Sequence, residues 1–378
     1  SVLALIAGFL QYDTEHLIKG VLLNRMSKGY YDIIKPLIEQ ELSLKVAGYF
    51  PEQKDIMLES RHLGLVMPDE LDDIKEQLCE IADRLEKTID MEVLLDIAAE
   101  AEEIGGCGNA DRDNPQTINI GCIKNEFTQN VKTDCETQYQ TTKIVNKKQM
   151  RIKSEDDTVN IAVAMDEAFC FYYEDNLRLL EKYGAKLQYF SPLDDTELPD
   201  NCDALLIGGG YPELYAKELS ENISMRNSIK TAFKNGLPTV AECGGFMYLH
   251  TYIHNICKEN AGVQDHVFNM AGALDGECYF KGKLVRFGYI ELEEKHSNFL
   301  PADEKIRAHE FHYYDSNNNG QDCIAVKPAT GRMYDCVISK DNYWIGFPHL
   351  YYPSNPHFAE NFVKKAQEYR KNKNGKLI

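Results

Sequence analysis

Apolar residues in this chain fall into short runs separated by helix-spaced segments, and the two patterns alternate. Residues 19–26 (KGVLLNRM) are a short apolar run ending in polar residues, and the segment after it places Ile33, Ile34, Leu37 and Ile38 on one helical face. A strand and then a helix are expected. KVAGYFP at 45–51 reads as a second strand ended by Pro51, after which Leu71, Ile74, Leu78, Ile81 and Leu85 recur at helical spacing. Leu94, Leu95 and Ile97 predict a shorter helix within 91–103. The first hundred residues thus read as the tail of an α/β domain, with too few strands to close a sheet. From Gly105 to Thr158 the composition turns to Asn, Thr, Gln, Lys, Asp and Gly without apolar periodicity, as in a linker.

Order resumes with VNIAVAMD at 159–166, a continuous apolar run of the kind a buried parallel strand needs. FYYEDNLRLLEKYGA supplies a helix that Gly184 can terminate. KLQYFSP (186–192), CDALLIGGG (202–210), a helical stretch from Pro212 to Gly236 and LPTVAECGG (237–245) continue the alternation. A parallel, doubly wound α/β sheet follows from that order.

Composition narrows the function classes. With 378 residues the chain has room for two domains at roughly 150 residues each. Its 41 Lys and Arg against 60 Asp and Glu leave a formal charge of −19, spread without an acidic block, which disfavours a nucleic-acid groove. No run approaches the ~20 apolar residues of a membrane helix. Eleven scattered cysteines, an odd number without a CxxC pair, fit neither a zinc ribbon nor a disulfide framework. The start SVLALIAGFLQYDTEHL lacks a basic region and a small-residue cleavage site, so a cytoplasmic location is expected. The chain opens on Ser1 rather than Met, and an upstream segment is expected to be missing.

Candidate chemistry centres on Pro238-Thr-Val-Ala-Glu-Cys-Gly-Gly-Phe-Met-Tyr-Leu249. A β-branched strand runs into Cys243, two glycines follow and an apolar helix starts, the geometry that lifts a nucleophile to the carboxyl edge of a sheet. Small neighbours free the next amide to face an oxyanion, and the helix N-terminus is expected to lower the thiol pKa. Taken alone, Cys243 could equally be one more buried cysteine. Gly208-Gly209-Gly210 ends another apolar strand, where its amides could complete an oxyanion hole, although a triple glycine is often only a turn. A base distant in sequence is available in His349, within Ile345-Gly-Phe-Pro-His349-Leu-Tyr-Tyr-Pro. His309 and His312 compete for that role. Their HxxH spacing has no third ligand nearby, so a hydrogen-bonded structural pair is expected rather than a metal site.

Several segments, in order, resemble the cobyrinic acid a,c-diamide synthase family of corrin biosynthesis. They are Asn160-Ile-Ala-Val-Ala-Met-Asp-Glu-Ala-Phe169, Phe171-Tyr-Tyr-Glu-Asp-Asn-Leu177, Phe190-Ser-Pro-Leu193, Gly208-Gly-Gly-Tyr-Pro-Glu213, Ala241-Glu-Cys-Gly-Gly245 and His309-Glu-Phe-His312. Gly20-Val-Leu-Leu-Asn-Arg25 and Glu59-Ser-Arg-His-Leu-Gly-Leu65 fit as well. The resemblance implies an ATP-dependent synthetase domain related to dethiobiotin synthetase at 1–104, a linker at 105–158 and a class I glutamine amidotransferase domain at 159–378. By position it makes Cys243 the glutaminase nucleophile, His349 its base, and Gly209 and Gly244 the oxyanion donors. Class I members usually carry a Glu two residues after that His, whereas Tyr351 stands here, leaving open what orients His349.

Glutamine, ATP and cobyrinic acid are the implied partners, with Mg2+ accompanying ATP and a homodimer as an expected assembly. Asn24 would sit at the adenine, and Glu59, Arg61 and His62 form a polar cluster that could equally be a capped helix entry. No GxxxxGK[ST] string occurs in these residues, so the P-loop is expected to lie before Ser1. Nickel-sirohydrochlorin and hydrogenobyrinic acid are alternative substrates within the same motifs. From another class, a stand-alone Cys-His hydrolase of the same superfold would share the second domain, and an inert fragment is a third reading.

Overall fold

The computed structural model describes residues 1–53, 60–61, 64–65, 74–101, 158–259 and 262–375. Two compact units divide at Val145 and Asn146. Most of the expected linker, residues 105–157, lies outside the described residues.

In the first unit, α1 (Val2–Tyr12) precedes β1 (Gly20–Asn24), α2 (Lys28–Leu42) and β2 (Lys45–Phe50). β1 and β2 pair in parallel from Gly20 opposite Lys45 to Asn24 opposite Phe50. Ser27 caps α2 by accepting the Tyr30 N–H. The expected apolar face of α2 divides: Ile34 and Ile38 are buried against Leu23, Leu44 and Val46, whereas Ile33 and Leu37 stay exposed. Two short strands, β3 (Ser60–Arg61) and β4 (Gly64–Leu65), form a hairpin. α3 (Ile74–Thr88) and α4 (Met91–Ala99) match the helical spacing, α4 starting on an Asp90 cap. Leu71, Glu59 and His62 lie outside the described residues, so the Glu59-Arg61-His62 cluster does too.

The second unit opens with β5 (Val159–Ala164), α5 (Glu174–Lys182), β6 (Ala185–Phe190) and β7 (Ala204–Ile207), then α6 (Ala216–Glu221), α7 (Ile223–Lys234), β8 (Thr239–Glu242) and α8 (Gly244–Leu249). The helix expected across 212–236 is two, because Asn222 ends α6 and caps α7 through the Met225 N–H. Among the described residues eleven further strands follow: β9 (Tyr252–Glu259), β10 (Gly262–Asn269), β11 (Glu277–Phe280), β12 (Arg286–Glu294), β13 (Lys305–His312), β14 (Tyr314–Ser316), β15 (Cys323–Val326), β16 (Met333–Cys336), β17 (Ile338–Lys340), β18 (Tyr343–Gly346) and β19 (His349–Leu350). A 3-10 turn at Tyr352–Ser354 leads into α9 (His357–Gly375).

The central sheet has the order β6-β5-β7-β8-β18-β17, parallel except for the β17 edge. This is the expected doubly wound α/β sheet. Its strands are apolar on both faces because both are covered. Val159, Ile161, Val163, Leu206 and Val240 face one core with α9 and an antiparallel sheet of order β16-β15-β12-β13-β19. Ala162, Ala164, Leu205, Ile207 and Ala241 face the other core, with α7, α8 and residues of a smaller sheet of order β10-β9-β11-β14. No described helix is long and apolar enough to cross a membrane.

Candidate active site

In a doubly wound sheet, loops at the carboxyl ends of the strands meet at one edge, and ligands bind there. β7 delivers Gly208–Gly210 to that edge, β8 delivers Cys243, and β18 leads through Phe347 and Pro348 to His349. Parallel pairing sets Glu242 opposite Gly346. The Cys243 N–H then donates to the Gly346 carbonyl at 2.8 Å, tying the nucleophile turn to the chain three residues ahead of His349.

Cys243 has φ 47° and ψ −104°, a conformation that costs a non-glycine residue of order 1–3 kcal/mol and clusters at functional sites. The strain is held by the Gly346 bond before it and by the Met247 N–H donating to the Cys243 carbonyl at 2.9 Å after it. This is the expected elbow. Gly244 must lack a side chain, because a Cβ there would stand 2.8 Å from Pro212 Cδ and 3.0 Å from the Gly210 nitrogen.

The expected lowering of the thiol pKa is corrected by the surroundings. Burial pushes the Cys243 thiol well above its ordinary value, and the nearby Glu213 carboxylate adds to the rise. The Gly244 N–H pulls the other way and is outweighed, with Glu310 and Glu242 adding further negative charge. One short helix of six residues cannot offset desolvation with three acids around it. Cys243 therefore rests as a thiol and needs a base to become a nucleophile.

His349 lies on β19, directly opposite His309 on β13. Its imidazole rests on the glycine loop: a Cβ at Gly209 would lie 2.2 Å from His349 Cε1. Only glycine at 209 leaves room for the ring in this position. Burial, reinforced by the His309 and His312 charges and partly offset by Glu310, pushes the His349 pKa down to about 4. The ring is neutral near pH 7 and free to accept a proton. A cavity of about 560 Å³ opens over His349, lined also by Tyr173, Tyr289, Arg307, His309 and Tyr351.

Of the three glycines after β7, Gly208 spends its N–H on the Tyr172 hydroxyl at 2.7 Å. Gly209 forms an antiparallel bridge with Phe171, whose N–H donates to the Gly209 carbonyl at 3.0 Å. Gly210, the third glycine of that segment, lies close against Gly244 at the same edge.

His309 and His312 do not form the expected pair. They are three residues apart on one strand and so point to opposite faces. His309 packs against Tyr289 and Phe287 on the half-exposed face, while His312 is buried, its Nδ1–H donating to the Tyr314 carbonyl at 2.7 Å and its ring stacked on Phe347 at 4.0 Å. Among the described residues no group of three His, Cys, Asp or Glu side chains could hold a metal ion. Tyr351 points outward, its hydroxyl 3.4 Å from Asp175 Oδ2. Asn24 ends β1 on the surface with its Oδ1 accepting the Arg25 N–H at 2.9 Å.

A thiol on a strained elbow, a neutral histidine lodged against the adjacent glycine loop and a doubly wound sheet beneath them are the parts of a glutamine amidotransferase. Residues 160–355 match the family described as CobB/CobQ-like glutamine amidotransferase domain. The likeness extends through the first unit. Over 373 residues the chain is 32% identical to the cobyrinate a,c-diamide synthase of Caldanaerobacter subterraneus subsp. tengcongensis, covering 98% of this chain and 72% of that protein. The enzymes of the same name from Picrophilus torridus and Clostridium tetani are each 32% identical over 365 residues, with 96% and 95% of this chain and 70% and 71% of theirs covered. The chain belongs to the cobyrinate a,c-diamide synthase family.

Proposed function

We propose that Cys243 and His349 release ammonia from glutamine, and that the ammonia amidates the a- and c-acetate carboxylates of cobyrinic acid in cobalamin biosynthesis. The observation that carries the glutamine step is the seating of the His349 ring on Gly209, at the sheet edge that presents Cys243. Family membership supports the corrin substrate.

In the glutamine step His349 takes the Cys243 proton as the sulfur attacks the side-chain carbonyl carbon of glutamine. The oxyanion that forms is met by the Gly244 N–H and an amide of the Gly209–Gly210 loop. His349 returns the proton to the departing nitrogen, ammonia leaves, and a glutamyl thioester remains. Water then attacks the thioester carbonyl with His349 as base, giving glutamate and restoring the thiol.

Amidation of a carboxylate needs activation, for which the family reading supplies ATP and Mg2+. The 378 residues contain no GxxxxGK[ST] string, and Asn24 Oδ1 accepts the Arg25 N–H. Assigning 1–104 to the synthetase, 105–158 to a linker and 159–378 to the amidotransferase belongs to the same proposal.

The test is glutamate release from glutamine by the chain and by Cys243→Ala. Cys243-dependent release is expected, with the variant lower by about 10³-fold or more. Equal release from both would remove Cys243 from the reaction.

A further inference from the structure

Each glycine of the 208–210 loop has a different neighbour. A Cβ at Gly208 would stand 2.5 Å from Tyr172 Cζ, one at Gly209 2.2 Å from His349 Cε1, and one at Gly210 2.1 Å from the Ala168 carbonyl oxygen. Two rings, Tyr172 and His349, therefore lie against consecutive α-carbons. The Tyr172 hydroxyl also makes two hydrogen bonds, accepting the Gly208 N–H at 2.7 Å and donating to the Ala164 carbonyl. Ala164 and Ile207 are the last pair of β5 and β7, so the hydroxyl joins the two strands one step beyond their ladder. Burial holds the phenol pKa well above its ordinary value, against the pull of the Gly208 N–H, and the hydroxyl keeps its proton for Ala164. The Gly208 carbonyl in turn accepts the Gly245 N–H at 2.9 Å, which ties the same residue to α8, the helix after the nucleophile.

We propose that Tyr172 is a positioning residue for the glutamine step: its hydroxyl fixes Gly208, and with it the loop that seats His349 and faces the oxyanion. The inference rests on the glutaminase reading of Cys243 and His349. Main-chain bonds guide the loop further along, from the Phe171 N–H to the Gly209 carbonyl at 3.0 Å and from the Tyr211 N–H to the Ala168 carbonyl at 2.9 Å. Tyr172 supplies the side-chain link where the loop leaves β7. Three glycines have no side chains to anchor them, so a loop released at Gly208 is free to shift. A shift of about 1 Å moves an oxyanion amide and the surface under the imidazole together. Because the oxyanion exists only in the transition state, the loss falls on kcat rather than on KM.

The experiment measures glutamate release, and amide hydrogen exchange at Gly208 by NMR, in the full chain, in Tyr172→Phe and in Tyr172→Ala with and without added phenol or toluene. Phe keeps the ring and removes the hydroxyl: kcat falls about 10- to 100-fold, and KM for glutamine stays within about twofold. The Gly208 amide, without its acceptor, exchanges about tenfold faster or more. Tyr172→Ala is impaired at least as much, and its cavity takes up small aromatics. Phenol raises its kcat by about fivefold or more, whereas toluene, which fills the space without a hydroxyl, does not. A Phe variant with wild-type kcat overturns the proposal, and so does one that loses activity with Gly208 exchange unchanged. Equal rescue by toluene overturns it too, since packing alone then explains the loss. If Tyr172→Ala does not fold, the Phe variant decides. If wild type releases no more glutamate than Cys243→Ala, the glutaminase reading fails; Gly208 exchange in Tyr172→Phe still reports whether the hydroxyl fixes the loop, and an unchanged rate overturns that as well.

Discussion

At the scale of single residues, the site works by what is left out as much as by what is present. The thiol is held protonated by burial, and the imidazole is held neutral by burial, so the two form no ion pair in the resting state. Proton transfer then belongs to the attack itself, and the position of the ring decides the rate. Gly209 sets that position by lacking a Cβ. A Gly209→Ala variant should therefore lose about 10²-fold in kcat for glutamate release, because its methyl displaces the ring. Its melting temperature should change by no more than a few degrees, the loop being at the sheet edge. A wild-type rate in this variant would mean that the ring has room that the geometry denies it.

At the scale of elements, β8, the elbow and α8 form one unit in which strain and function coincide. Val240 and Ala241 anchor the strand in both cores, and Phe246, Met247, Tyr248 and Leu249 anchor the helix. Between them Cys243 is forced to a positive φ that glycine adopts without penalty. Denaturant unfolding should show Cys243→Gly more stable than Cys243→Ala by about 1 kcal/mol, although glycine is ordinarily the less stable choice. The reverse order would show that the elbow is not strained. α5 contributes in a similar way, since Asn176 would be an ordinary helix residue if it did not hold both Leu350 and Tyr352.

At the scale of the whole molecule, buried ionisable groups set how stability varies with pH. Burial raises Glu242 to about 8 and Glu213 to about 7, and burial lowers His250 and His349 to about 4. The carboxyls hold protons in the folded state that the unfolded chain has released above about 4.5, so their contribution declines as pH rises toward 8. The histidines refuse protons that the unfolded chain binds below about 6.5, so their contribution declines as pH falls toward 4. From 4.5 to 6.5 the two pairs offset. Above 6.5 the carboxyls act alone, and unfolding free energy should fall by about 2 kcal/mol between pH 6.5 and 8.5. Glu242→Gln should remove most of that slope in denaturant titrations. An unchanged slope would place its origin elsewhere.

The alternation of apolar runs and helix-spaced segments was sufficient for the doubly wound sheet, because strands covered on both faces read as continuous apolar runs such as Ile161–Ala164. The antiparallel strands between Tyr252 and Cys336 went unread, although β12 and β13 alternate buried and exposed positions as half-covered strands do. Local chemistry made Cys243 and its glycines visible, since a nucleophile turn is encoded in consecutive residues. Asn176 stood inside a motif that carried the family likeness, yet its partners Leu350 and Tyr352 lie more than a hundred residues away. The pKa of Cys243 was misjudged for the same reason: a helix start is local, while the acids Glu213 and Glu310 reach the thiol only through folding. Sequence alone determined the sheet, the elbow and the family, all written in neighbouring residues. Only tertiary structure decided which way the histidines of β13 face and what burial does to each proton, because those depend on groups that meet across the sheets.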